Sequence, residues 1–444
     1  MKRLLGLVLI LASALSAHAA PAAAPRAAAA RPAAKNASAR TPPRTTHRRA
    51  PRLPALAPLP STLPAPQVLA GAEVQAVKEM NAWLDGLEGT NLVSGLAVAV
   101  VKDDKVLLQR GIGYADAAAQ TPITTDTVFR LASLSKAFAA TMTGLLVDDG
   151  YLSWNTRVSG VLPTFALKNT ASGESVTIRD ILSHRVGLPH NTYDNLLEQD
   201  EPYQGLVERL KEVDTICGAG DCYSYQNIAF SLIGDVTYAV TGDFYYHQVE
   251  KRLFHPLHME TATYGRDALE ASQSWARPHH HAGKRWVPFE PNEAYYHVPP
   301  AAGVNASIKD MSQWLIAHMG GYPKVLSPAL LDTLHNPLVR TPTEMTTSPW
   351  RRNRLRDAEY ALGWRVYDYA GETLVFHAGA VQGYRGMIAF LPRYRFGAVF
   401  LWNCESATPA GLMPMLMDRF LGLPQVDWAG VERLETEGTT VGGD

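Results

Sequence analysis

The spacing of hydrophobic positions changes several times along the chain, and each change marks an element. Val74, Val77, Met80, Leu84 and Leu87 recur at helical spacing and predict an amphipathic helix starting near Glu73. The stretch SGLAVAVVKDDKVLLQRGIGYAD reads as two strands joined at Asp103-Asp104. From Ser133 to Asp149 the chain is rich in Ala, Leu and Met and predicts a helix, with Gly150 as its C-terminal stop. Residues 151–300 alternate helical pieces with loops rich in Gly, Pro and His, which predicts a mainly helical region. Strand character returns at 371–403 in three segments, and ATPAGLMPMLMDRFLG closes with a helix. Strands at both ends with helices between them predict an α+β fold, in which an antiparallel sheet built from both chain ends is covered by helices and carries an inserted, mainly helical domain. The expected division is an α/β part at about 71–130 and 360–425, a helical part at about 131–300, and a polar tail at 426–444.

The N-terminal residues follow no such period. Lys2 and Arg3 precede the apolar run LLGLVLILASALSA, and Ala17-His18-Ala19 supplies an A-x-A cleavage site, so residues 1–19 read as a signal peptide. Export to the periplasm or the medium follows, with membrane attachment only if the segment stays uncleaved. Residues 20–70 are rich in Ala, Pro and Arg and read as a disordered linker. The chain of 444 residues is 46% hydrophobic and 19% charged, ordinary for a globular protein. Its net charge of −1 hides an asymmetry: residues 1–72 hold ten Lys or Arg and no acid, which leaves 31 basic against 42 acidic residues beyond them. That acidic remainder argues against nucleic acid as a partner.

Three cysteines are present. Cys217 and Cys222 flank GAGD and suit a small disulfide loop in an oxidising compartment, with Gly218 and Gly220 easing the turn. Zinc would need further ligands nearby, and no metal site is expected. Cys404 lies in an apolar strand and reads as an inert core thiol. The run His279-His280-His281 has no accompanying carboxylates and reads as a surface loop; His184 in SHRVGLPH reads as a loop brace.

The candidate chemistry begins in FRLASLSKAF. In a helix, Ser133 and Lys136 share one face, so the amine lies near the hydroxyl. A serine needs a base to become a nucleophile, and a desolvated lysine can serve or can tune another base. Backbone N–H groups at the helix start suit an oxyanion. In CYSYQNIAF, Tyr225 and Asn227 point the same way on an extended segment. A phenol near an ammonium can take the serine proton, and the asparagine can meet a substrate amide. In FHAGAVQGYRG, His377 opens a strand and Gly379 permits close approach of a ligand to the backbone. Read singly, these residues fit a packed tyrosine, a structural histidine and exposed helix positions better than they fit catalysis.

Taken in order, S-x-x-K, Y-x-N and H-x-G resemble the class C β-lactamase family with its penicillin-binding-protein and esterase relatives, as do VTIRDILSHRVGLPH, PAAGVNASIKDMSQWL and ALGW. The resemblance covers about residues 73–422. It implies a site between the α/β and helical regions. Ser133 would be the nucleophile, Lys136 its proton-relay partner, and Tyr225 the general base that later protonates the leaving group. Asn227 would orient the acyl side chain, and the N–H groups of Ser133 and Ala380 would form the oxyanion hole. No cofactor is implied. His377-Ala378-Gly379 stands where β-lactamases usually carry K-T-G, so binding of a substrate carboxylate is weakened or made pH-dependent. The implied activity is acyl transfer on a β-lactam, a D-amino-acid peptide or an ester, with a small molecule, a peptide or the cell wall as partner. The alternative is a non-catalytic module that binds cell-wall peptides or β-lactams.

Overall fold

The computed structural model describes residues 63–432; the signal segment, the linker up to residue 62 and residues 433–444 lie outside the described residues. In chain order the strands are β1 (Gly95–Lys102), β2 (Lys105–Asp116), β3 (Thr121–Pro122), β4 (Val128–Arg130), β5 (Thr263–Tyr264), β6 (His279–Ala282), β7 (Arg285–Pro288), β8 (Val304–Ser307), β9 (Val339–Arg340), β10 (Leu355–Tyr360), β11 (Arg365–Tyr369), β12 (Glu372–Val381), β13 (Tyr384–Leu391) and β14 (Phe396–Trp402). Nine of them form one antiparallel sheet in the order β3-β2-β1-β14-β13-β12-β11-β10-β9. The first long strand pairs with the last, Leu96 opposite Trp402 and Val101 opposite Gly397, so the sheet is built from both chain ends.

Alternation along β1 sorts its side chains between two cores. Leu96, Val98 and Val100 face the Ala72–Leu87 and Pro409–Phe420 helices, where Met80, Trp83, Leu416 and Phe420 are buried with them. Ala97, Ala99 and Val101 face the other core, which holds Phe138 and Trp314. Phe138 stacks on Trp314 with ring centroids 3.8 Å apart. This joins the Ser135–Asp148 helix to the Ile308–His318 helix, which Ser307 and Asp310 cap reciprocally at its start. The Ser135–Asp148 helix is buried on nearly every side, as a helix apolar all round must be.

Three departures from the sequence reading have physical reasons. The sheet extends further back than residue 360, to β9 and β10, whose charged residues hide the strand pattern: Arg340 on β9 pairs with Asp357 on β10 at 2.6 Å, and on β11 Arg365 pairs with Glu344 of the Pro342–Thr346 turn at 2.8 Å. His279–His281 is not a loop but β6, paired with β7; His279 is buried and accepts from the Ala117 N–H at 3.0 Å, while the His281 ring meets Trp286 edge-on. The stretch after residue 62, assigned to the linker, is tied to the C-terminal helix by the Gln67 N–H to Leu421 O bond of 2.9 Å.

The terminal helix is locked by charge. Arg354 gives Asp418 two hydrogen bonds of 2.8 Å, with 4% and 0% of the two side chains exposed, and Tyr369 and Trp428 donate to the same carboxylate. Removing one partner strands the other in a dry interior. Asp418→Ala is expected to destabilise the fold by about 3–5 kcal/mol, measured as a lowered urea midpoint with an unchanged slope.

Candidate active site

Ser133 sits in a single 3₁₀ turn, Ala132–Leu134, between β4 and the Ser135–Asp148 helix. Ala132 holds φ of 49°, a left-handed conformation rare for alanine, which turns the chain sharply before the serine. The turn is held from both sides: the Leu131 N–H donates to Val304 O at 2.9 Å, and Ser135 Oγ accepts from the Val304 N–H at 3.0 Å. Gly379 on β12 presses backbone to backbone against it. A Cβ there would lie 2.3 Å from Leu131 O and 3.2 Å from the Ser133 nitrogen. Only glycine allows the strand this near. Ala380, next along the strand, is exposed.

Lys136 is fully buried, and its Nζ donates to Asn227 Oδ1 at 2.6 Å, to Ala301 O at 3.0 Å and to Ser133 Oγ at 3.3 Å. Burial pushes its pKa down to about 7, against the attraction of Asp194. The ammonium lies 4.6 Å from the centroid of the Tyr225 ring. Tyr225 moves the opposite way: burial raises its pKa, and a hydrogen bond with Ser133 and the Arg365 charge counter only part of the rise. Ser133, Lys136 and Tyr225, distant in sequence, are thus brought together. Asn227 joins them differently from expectation. Both ends of its amide are engaged within the protein, Oδ1 with Lys136 and Nδ2 with Asp194 Oδ2 at 2.7 Å.

The segment carrying Tyr225 is fastened by its neighbours. Cys217 and Cys222 form a disulfide three residues before it. The Ser224 N–H donates to His184 O at 2.8 Å and the Gln226 N–H to His184 Nδ1 at 3.1 Å, so His184 braces this loop. The His184 ring tilts against Tyr225, centroids 4.2 Å apart, and burial with the nearby Lys136 keeps it neutral. Arg365 lies behind, its Cζ 5.9 Å from the Tyr225 ring and 5.6 Å from that of Tyr360. Asp194 and Arg365 were not legible as site residues. Asp194 opens the short Asp194–Leu197 helix after left-handed residues at Asn191 and Tyr193, and Arg365 sits on the interior strand β11.

His377 is placed behind the site, not in it. It is 1% exposed, its Nε2 lies 3.2 Å from the Tyr360 hydroxyl and its Nδ1 2.8 Å from Ala378 O. Burial, then the charges of Arg365 and Lys136, drive its pKa well below the ordinary histidine value. A partly charged histidine facing a substrate carboxylate therefore does not fit this geometry. Among the described residues no group of three or more His, Cys, Asp or Glu could hold a metal ion. Cys404 is buried, its Sγ accepting from the Ser94 N–H, and burial raises its pKa.

The β-lactamase family profile matches residues 76–418, and the chain belongs to that family. It is 28% identical over 353 residues to a protein of Aspergillus campestris named unguisins hydrolase ungD', covering 76% of this chain and 64% of that one. It is 24% identical over 316 residues to protein flp of Staphylococcus aureus, covering 71% and 60%. The chain thus spans a little less than two thirds of these relatives' lengths. In fold it is similar to the octameric penicillin-binding protein homologue from Pyrococcus abyssi (TM-score 0.68, 22% identity, 84% and 82% covered). It is also similar to EstCE1, a hydrolase with promiscuous acyltransferase activity (TM-score 0.64, 19% identity, 79% and 99% covered).

Two substitutions test this placement. Gly379→Ala should displace β12 from the Ser133 turn and lower the rate of covalent labelling at Ser133 by about 100-fold, read with a fluorophosphonate, while the circular dichroism stays native. His377→Lys should bury an ammonium beside Arg365 and Lys136 and cost at least about 3 kcal/mol of stability, read by thermal melting, with no gain for carboxylate-bearing substrates.

Proposed function

We propose that the protein is an exported serine hydrolase, class C-like within the β-lactamase family, that transfers acyl groups through Ser133. The observation that carries this reading is Lys136, a buried amine whose pKa lies near neutrality and whose nitrogen is 3.3 Å from the Ser133 oxygen. The order of the two shifts assigns the first proton step. The lysine is the stronger candidate base, because its neutral form is available at pH 7–8 while the raised phenol stays protonated. Ser133 Oγ attacks the acyl carbon and its proton passes to Lys136 Nζ. The N–H groups of Ser133 and Ala380 receive the oxyanion. Collapse breaks the bond to the leaving group, which takes a proton through Tyr225. Water then attacks the ester with the same groups acting in reverse, releasing the acid and freeing Ser133.

Esters and peptides are the favoured substrates over β-lactams, since buried His377 offers no cation to a β-lactam carboxylate. Export is supported by the basic and apolar first residues with their A-x-A site and by the Cys217–Cys222 bond, which suits a periplasmic or extracellular setting. No helix among the described residues is long and apolar enough to cross a membrane.

Ser133→Ala is expected to abolish labelling by a fluorophosphonate and turnover of a short-chain nitrophenyl ester; labelling that survives would move the nucleophile elsewhere. The pH dependence follows from the lysine. Protonation below its pKa of about 7 removes the base, so kcat/KM should fall about tenfold per unit below pH 7 and level off above pH 8. A flat profile between pH 5 and 8 would remove Lys136 from the proton path.

A further inference from the structure

Beside Ala380 a cleft of about 410 Å³ opens, lined among others by Glu198, Asn292, Tyr295 and Arg130. Its chemistry is uneven. Glu198 is exposed and accepts from the Tyr295 hydroxyl at 2.8 Å. Asp194 lies one helical turn earlier, the Glu198 N–H donating to Asp194 O at 2.9 Å, so the two carboxylates project from one side of the same turn. Asp194 is 6% exposed; Oδ2 accepts from Asn227, but Oδ1 is buried and has no partner. An ionised carboxylate offers about four acceptor sites, and leaving one oxygen dry and unbonded is costly. Burial raises the pKa of Asp194, and Glu198 adds to the rise. Burial raises the pKa of the Tyr295 phenol, and the charges of Asp194, Glu198 and Tyr225 add to the rise.

Among the described residues three basic groups border this corner of the cleft. Lys136 already donates to Asn227, Ala301 and Ser133, and it loses its proton near neutrality. Arg130 is the cation lining the cleft; its guanidinium lies 3.6 Å over the Tyr296 ring and its Nη1 donates to Asn292 O at 2.5 Å, while its Nε and Nη2 are buried without a partner. His190 is the remaining basic group facing Asp194. A metal would need a third ligand, and none is grouped there among the described residues. An alkylammonium has three donors, and Asp194 Oδ1, the Glu198 carboxylate and the Tyr295 oxygen supply acceptors for them.

We propose that the acyl part of the substrate carries an ammonium group, which Asp194 and Glu198 bind next to the Asn227–Lys136 pair. This rests on the acyl-transfer reading of Ser133 and narrows it to aminoacyl or amine-bearing acyl donors. Three successive hydrogen bonds link Ser133 to Asp194 through Lys136 and Asn227, so the proposed ammonium site and the nucleophile rest on one connected chain of side chains. The two carboxylates then select the substrate, while the amine and the phenol act on it.

The test uses the purified full chain and the methyl esters of alanine (both enantiomers) and 4-aminobutyrate, each against its N-acetyl counterpart. The free amines are expected to show kcat/KM at least about tenfold higher at pH 7. Glu198→Gln and Asp194→Asn should each shrink that ratio by about tenfold, moving KM more than kcat. Equal or faster turnover of the acetylated esters overturns the ammonium site and leaves acyl transfer standing. A preference that both variants retain overturns the assignment to these carboxylates. Absence of turnover on every ester, with no fluorophosphonate labelling of Ser133, overturns acyl transfer and the ammonium site with it.

Discussion

The structure depends on keeping one amine dry. Lys136 is enclosed by the Ser135–Asp148 helix that carries it, by the Ala301 carbonyl and by Asn227, with no exposed surface. A lysine so placed gives up stability. Its unfolded form holds a proton up to about pH 10.5, whereas the folded form lets it go near 7, so the fold loses stability as pH falls through that window and no more below it. The surroundings offset part of that loss with three acceptors and, one step further out, the Asp194 carboxylate. The same arrangement makes the amine a usable base at neutral pH. Stability and reactivity are therefore set by one desolvated group and pull in opposite directions.

The phenol is handled with comparable care but by other means. Tyr225 belongs to a short extended stretch with no ladder of its own, so its position has to come from attachments. The Cys217–Cys222 loop, the two bonds to His184 and the neighbouring Arg365 provide them. Asn227 then starts the Ile228–Thr241 helix, which fixes the far end of the stretch in the helical core. The catalytic candidates thus rest on one buried helix, one pinned loop and one strand, and each comes from a different part of the chain.

How much of this the sequence disclosed follows from what period and motif can carry. The Ala72–Leu87 helix, the β1–β2 hairpin and strands β12–β14 were legible because each buries one regular face or run. Strands β9–β11 were not, since their charged residues pair with neighbours that only the fold brings close, such as Arg365 with Glu344. Ser133, Lys136 and Tyr225 were visible as a combination of types in order. The standing of Asn227 and His377 was not, because a side chain's partners lie outside its own segment: one faces Lys136 and Asp194, the other Tyr360. Asp194 gave no signal at all, being an acid that opens a four-residue helix after irregular backbone.

Gly379 meets the serine turn through main chain alone, and Gly363 packs as tightly one turn along, where a Cβ would lie 2.5 Å from Lys136 O and 2.9 Å from the Ala140 Cβ. Because peptide groups dominate these seams, a larger residue at either glycine cannot be accommodated by exchanging its neighbours. Room for a change of side chain is thereby left to the surrounding rims, at 190–198, 292–296 and 380–382. New acyl groups can be accommodated there by descendants that inherit the reactive turn unaltered.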